Sequence, residues 1–100
     1  MALEVGFKDE SLAKLEQKAE YSAGYPEGIV KAFRKRMQQI RAASDERDFF
    51  ALRSLNFEKL KGGRSHQYSM RLNDQWRLIL EIQETGKTKK VIVVAIEDYH

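Results

Sequence analysis

The chain contains no cysteine, which excludes a disulfide framework and any thiolate-liganded metal site and fits a reducing compartment. Proline occurs once, and the longest apolar run, residues 91–96, is six residues, far below the roughly 18–20 needed to cross a bilayer. The first ten residues place Glu4, Asp9 and Glu10 where a signal peptide needs an apolar core, so no targeting segment is expected. Repeats, low-complexity blocks and linkers are also missing. The two histidines, His66 and His100, have no spacing that suggests a metal site, and neither a metal nor a cofactor is expected. A cytoplasmic protein is the expectation. At 100 residues and 42% hydrophobic content, the chain is expected to form one domain over residues 1–100, burying roughly 60–70% of its unfolded surface.

What is present is basic charge in two clusters. The net charge is only +3, but Lys31, Arg34, Lys35, Arg36 and Arg41 occur without an intervening acid. Further on, Arg53, Lys59, Lys61, Arg64 and Arg71 stand against the lone Glu58. Clusters of this kind attract polyanions, of which nucleic acid is the usual one. For the first cluster a solvated helix face is the competing reading.

Periodicity supplies the elements. Leu3, Val5 and Phe7 alternate with polar residues and glycine, the pattern of a half-buried strand. Asp9 is placed to cap a helix carrying Leu12, Leu15 and Ala19 on one face. Pro26 and Glu27 suit a first helical turn, and Ile29, Phe33, Met37 and Ile40 predict a second helix to about Ala43. Ser44 or Asp45 would cap a short third helix whose Phe49, Phe50 and Leu52 are expected in the core. Three strands follow Gly62-Gly63. Tyr68, Met70 and Leu72 oppose Ser69, Arg71 and Asn73 across the first, and Trp76, Leu78, Leu80 and Ile82 oppose Arg77, Ile79 and Glu81 across the second. Asn73-Asp74 predicts a tight turn with positive φ, and Thr85-Gly86-Lys87 a second turn. The apolar 91–96 run predicts an interior strand buried on both faces. The fold class is therefore α+β: a small, mostly antiparallel four-stranded sheet, with two main N-terminal helices and a short third helix on one face.

Strand alternation brings the chemistry together. Arg71 and Arg77 flank the proposed turn and should lie within about 5–8 Å, opposite or diagonal. Two like charges at that distance call for an anion between them or for full solvation. Lys61, ahead of two glycines, can join them, and Arg64 extends the surface along a phosphate backbone. Asp98 and His100 are two apart, so an extended segment points both the same way, with Tyr99 opposite. A cationic clamp beside an acid/base group meets the needs of RNA cleavage through the ribose 2′-hydroxyl. His100 could serve as base or acid; Asp98 could be the base or could orient His100; arginine-rich surroundings would make Tyr99 a further acid–base candidate. Taken alone, His100 reads first as a frayed, inert terminus; its neighbours are what point to chemistry. His66 reads as an exposed loop residue or an RNA contact, and Asn73 and His66 as candidates for any base preference near the clamp. Lys59, Arg64, His66 and Asn73 form the expected RNA-binding surround, and Trp76 belongs to the core or to a stacking rim.

Leu60-Lys61-Gly62, Ser69-x-Arg71-x-Asn73, Trp76-Arg77-Leu78 and the closing Glu97-Asp98-Tyr99-His100 resemble the signature of HigB-type toxins, within the RelE/ParE toxin superfamily. The resemblance is carried by residues 55–100 and supported by element order over the rest. It implies a RelE-like fold and a toxin of a type II toxin–antitoxin pair that enters the ribosomal A site and cuts translated mRNA. By the same resemblance, catalysis would fall to Lys61, Arg71, Arg77, Asp98, Tyr99 and His100. The implied partner is a helix-turn-helix, HigA-like antitoxin, through which alone the toxin meets operator DNA. Some members carry a histidine shortly before Lys-Gly, where this chain has Glu58. That departure moves acid–base duty toward the C-terminal cluster. The alternative the superfamily offers is a ParE-like, non-catalytic inhibitor of DNA gyrase.

Overall fold

The computed structural model describes residues 3–64, 66–86 and 88–98. Chain order is β1 (Glu4–Phe7), α1 (Glu10–Gln17), α2 (Glu27–Ala42), α3 (Arg47–Ala51), a 3₁₀ turn (Arg53–Leu55), β2 (Glu58–Lys59), a second 3₁₀ turn (Gly62–Arg64), β3 (Gln67–Arg71), β4 (Trp76–Thr85) and β5 (Thr88–Asp98). The strands form one sheet in the order β1-β5-β4-β3-β2. All pairings are antiparallel except β1 with β5, which run parallel. The sheet thus has five strands rather than the expected four. The additional β2 contributes only two exposed residues to the sheet edge, too few for any period to register.

The helices cover one face of the sheet. Ile29, Phe33, Met37 and Ile40 of α2 are buried against Met70, Leu78, Leu80, Val91, Val93 and Ile96, as the helical spacing of the former and the strand alternation of the latter require. Nearly complete burial of a large apolar side chain is worth about 1.5–3 kcal/mol, and this single layer contains most of them. Asp9 caps α1, accepting at 2.9 Å from the Ser11 N–H and at 2.7 Å from its hydroxyl. These bonds hold the Asp9 carboxyl below its ordinary pKa, the hydroxyl bond contributing most. α1 ends before Ala19, expected on its apolar face but exposed. Arg34 accounts for the early stop, since its guanidinium donates to the carbonyls of Leu15, Lys18, Ala19 and Tyr21 at 2.8–3.3 Å. Those groups would otherwise be left open at a helix C-terminus.

Two further expectations are corrected. Phe49 is in the core, but Phe50 is 54% and Leu52 43% exposed; α3 is only five residues long and turns one side alone inward. Phe50 instead meets Phe57 edge-on at 4.8 Å. The β3–β4 turn forms without positive φ at Asn73 or Asp74. The Asn73 side-chain oxygen accepts from both Gln75 N and Trp76 N at 2.8 Å, so a side chain rather than a left-handed backbone closes the turn. In the second turn Gly86 has φ +59°, and Lys87 lies outside the described residues.

The β4–β5 hairpin is tied to the start of α3 by Lys89, which donates to Glu46 at 2.9 Å and to Asp45 at 3.3 Å. Asp45 also accepts from Arg47 N. That backbone bond is the largest cause of its carboxyl's fall from 3.8 to about 2, with Glu46 and Lys89 assisting.

Two predictions follow from these caps. Asp9→Ala should destabilise by about 1 kcal/mol, a fall in Tm of roughly 4–8 °C by thermal denaturation. Across the interval from pH 3.8 to about 2 the unfolded chain binds a proton at Asp45 that the folded chain does not. The stabilisation from Asp45 is therefore complete above that interval and lost as pH falls through it. Tm measured against pH should fall less steeply there in Asp45→Asn than in the parent.

Candidate active site

The face of the sheet away from the helices carries the charged side chains. Arg71 and Arg77 are direct register partners on β3 and β4, and Glu97 of β5 is the partner of Arg77. One row further along the strands run Glu58, Ser69, Ile79 and Ala95, and beyond them Gln67, Glu81, Ile92 and Gly6. Ser69 and Ile79 are fully buried though they face away from the helical core, and the Ser69 hydroxyl has no hydrogen-bond partner among the described residues.

Each arginine of this face has an acidic neighbour. Arg71 hydrogen-bonds Asp74 across the turn. Arg77 donates to the Asn56 carbonyl at 3.3 Å and stands 3.9 Å from the Glu58 carboxylate. Arg64 holds Glu97 through both guanidinium nitrogens, at 2.7 and 2.9 Å. Glu58, which sequence reasoning set aside, thus joins the arginine face; its exposed carboxylate could be found only once β2 was recognised as a strand. Lys61 is exposed at the mouth of the glycine loop. Gly62 has φ +70°, a conformation suited to glycine, and Leu60 N bonds Gln67 O at 2.9 Å to close the loop.

The other expected site residues are distributed differently. His66 is exposed and 3.7 Å from Glu81. Hydrogen bonds from Lys8 first and Gln67 second hold the Glu81 carboxyl below its ordinary pKa. The side chain of Asn73 is engaged in its turn. Lys59 pairs with Tyr68, so alternation puts it on the helical side of the edge strand. Asp98 pairs with Trp76 and accepts from the Gln75 amide at 3.0 Å, which also puts it on the helical side. Tyr99 and His100 lie outside the described residues.

A β-bulge explains the position of Asp98. Ile79 pairs with Ala95 but Leu80 with Val93, so Val94 is an extra residue in β5. Uninterrupted alternation from Val91 and Val93 would turn Ile96 and Asp98 toward the arginines. The inserted residue reverses the faces, as bulges do: Ile96 enters the helical core, and Glu97 takes the place opposite Arg77.

Among the basic residues of α2, three serve the fold. Arg34 closes the end of α1, and Arg41 grips Glu16. Arg36 is 8% exposed and donates at 2.8 Å to the carbonyl of Arg71 and at 3.1 Å to Gln39. Burial, and secondarily the charge of Arg71, lower its pKa. Arg36 therefore anchors the strand end that presents Arg71, a role no sequence period could reveal. No described helix is long and apolar enough to cross a membrane.

The five-stranded sheet backed by helices on one side is shared with solved structures. Solved structures with this fold include a YoeB/ParE toxin from Agrobacterium tumefaciens (TM-score 0.63, 13% identity, 98% of this chain and 100% of that one). A YoeB–YefM complex from Staphylococcus aureus gives 0.55 at 19% identity over 100% and 99%. The HP0894 protein of Helicobacter pylori gives 0.56 at 11% over 96% and 93%. At such identities the likeness establishes the fold alone, and no curated protein matches the sequence. The family model for the RelE-like toxin HigB of type II toxin–antitoxin systems matches residues 5–100. The chain belongs to that family, and is a type II toxin of the RelE-like superfamily.

Replacing Arg36 tests its anchoring role. Arg36→Ala leaves the Arg71 carbonyl without its charged donor, and urea denaturation should show a loss of about 1.5–3 kcal/mol.

Proposed function

We propose that this toxin is a ribosome-dependent mRNA endonuclease that cleaves by attack of a ribose 2′-hydroxyl on the adjacent phosphate. The observation that carries this reading is the direct pairing of Arg71 with Arg77 on an open sheet face, with a carboxylate, Glu58, 3.9 Å from Arg77. A phosphate set between the two guanidinium groups relieves their mutual repulsion and receives bidentate hydrogen bonds. Those bonds strengthen as charge gathers on the phosphate oxygens in the transition state. Glu58 is the carboxylate best placed to take the 2′-hydroxyl proton. The oxygen attacks phosphorus, the bond to the 5′-oxygen breaks, and Tyr99 or His100 of the C-terminal tail protonates the leaving oxygen. The products are a 2′,3′-cyclic phosphate and a 5′-hydroxyl end, and the scheme requires RNA. Lys61 adds a compact charge to a neighbouring phosphate. A bound anion displaces Glu58 and Asp74 from the arginines, so the site exchanges internal ion pairs for substrate contacts.

The ribosomal A site would present the mRNA. A helix-turn-helix, HigA-like antitoxin would be the cognate partner and would carry the pair to operator DNA. The internal pairing of Arg64, Arg71 and Arg77 with acids favours a second reading, a ParE-like gyrase inhibitor that binds protein and performs no chemistry. Accumulated DNA breaks with intact mRNA after expression would select it.

Single-turnover cleavage on programmed ribosomes tests the proposal. Arg71→Ala and Arg77→Ala should each lower the rate by about 10²–10³-fold, and Glu58→Gln by about 10²–10⁴-fold. Cleavage by the Arg71→Ala/Arg77→Ala double variant at the parent rate would overturn it.

A further inference from the structure

The arginine face carries a chain of hydrogen bonds that the proposed chemistry does not use. Lys8 of the β1 edge donates to Glu81 of β4 at 2.9 Å. The Gln67 amide of β3 donates to the same Glu81 oxygen at 3.1 Å and accepts through its own oxygen from Arg64 Nε at 2.9 Å. Arg64 then holds both oxygens of Glu97. Gln67 and Glu97 belong to rows on either side of the Ser69–Ile79–Ala95 row. The Arg64 side chain therefore crosses over that row, consistent with the full burial of Ser69 and Ile79 on a face without helices.

The two ends of this crossing matter to the site. Arg64 closes the 3₁₀ turn that begins at Gly62, immediately after Lys61. Glu97 is the residue before the Asp98-Tyr99-His100 tail, set toward the arginines by the bulge at Val94. A glycine pair leaves the Lys61 loop little stiffness of its own. The last pairing of β5 among the described residues is Asp98 with Trp76.

We infer that Arg64 is a positioning residue, which with Gln67 and Glu97 fixes the Lys61 loop and the root of the C-terminal tail at one separation across the Arg71/Arg77 face. This inference rests on the nuclease reading for its kinetic consequence but not for its structural one. Both forks of the guanidinium are directed at Glu97 and its Nε at Gln67, the geometry of a brace. Misplacing catalytic groups by about 1 Å can cost on the order of 10²-fold in rate, whereas losing one phosphate contact mainly weakens binding and its salt dependence.

Two measurements on Arg64→Ala, Arg64→Lys, Glu97→Gln and the exchanged pair Arg64→Glu/Glu97→Arg test the brace. Amide hydrogen exchange of the isolated proteins should quicken in Arg64→Ala and Glu97→Gln at residues 61–64 and 96–98, leaving α2 unchanged. On programmed ribosomes, the single-turnover rate should fall by about 10–100-fold, with half-saturating toxin concentration moving less than about threefold. Arg64→Lys, which keeps the charge but not the fork, should be impaired nearly as much, and the exchanged pair should recover part of the loss. Unchanged exchange in the loop and tail overturns the inference. So does a loss confined to half-saturation with a shallower salt slope, which would make Arg64 a phosphate contact instead. If the parent protein itself fails to cleave, the nuclease reading falls, and hydrogen exchange still decides the brace. If Arg64→Ala does not fold, Arg64→Lys and Glu97→Gln carry both measurements.

Discussion

Two guanidinium groups held in register on adjacent antiparallel strands repel one another, and much of this protein's architecture serves to keep them there. Arg71 sits at the end of β3 and Arg77 one step inside β4, joined by a turn that Asn73 closes with its own side chain. Behind the pair, the buried Arg36 holds the Arg71 carbonyl. In front, Asp74 and Glu58 supply negative charge that an incoming phosphate can displace. Like charges set as register partners and offset by exchangeable acids make a site suited to a ligand of opposite charge.

The same constraint gives a purpose to the irregular parts. The extra residue in β5 turns Glu97 toward the arginines and Ile96 into the core. Through Glu97 the strand meets Arg64, and through Arg64 the loop that carries Lys61. The helical layer contributes rigidity, with Arg34 and Arg41 closing its ends. Rigid elements position a site more accurately than loops do, and here the Lys61 loop is tied through Arg64 to side chains on β3 and β5.

Much of this was legible in the sequence. The apolar stripe of α2, the Asp9 cap and the alternation in β3 and β4 follow directly from side-chain period, and they suffice to put Arg71 opposite or diagonal to Arg77; the structure makes them direct partners. Motif resemblance gave the family. What stayed hidden depended on tertiary contact. β2 is two exposed residues, so Glu58 could not be located on the sheet. The bulge at Val94 lies within a uniform run of β-branched residues and alanine that would accept an extra residue anywhere, so the face of Asp98 could not be known. The basic residues of α2 resemble a polyanion-binding patch until Arg34, Arg36 and Arg41 are seen to bond carbonyls and Glu16. Phe50 and Leu52 looked like core because hydrophobicity is local, whereas their exposure results from the early end of α3.

The account stands on a phosphate resting between Arg71 and Arg77 while its neighbouring 2′-hydroxyl attacks. The most direct measurement is cleavage of a ribosome-bound mRNA carrying a single 2′-deoxy nucleotide at the mapped cut site, with end analysis of the all-ribose control. Cleavage should cease at the substituted position while toxin still binds the complex, and the control should yield 2′,3′-cyclic phosphate and 5′-hydroxyl ends. Undiminished cutting at the deoxy position would contradict the account.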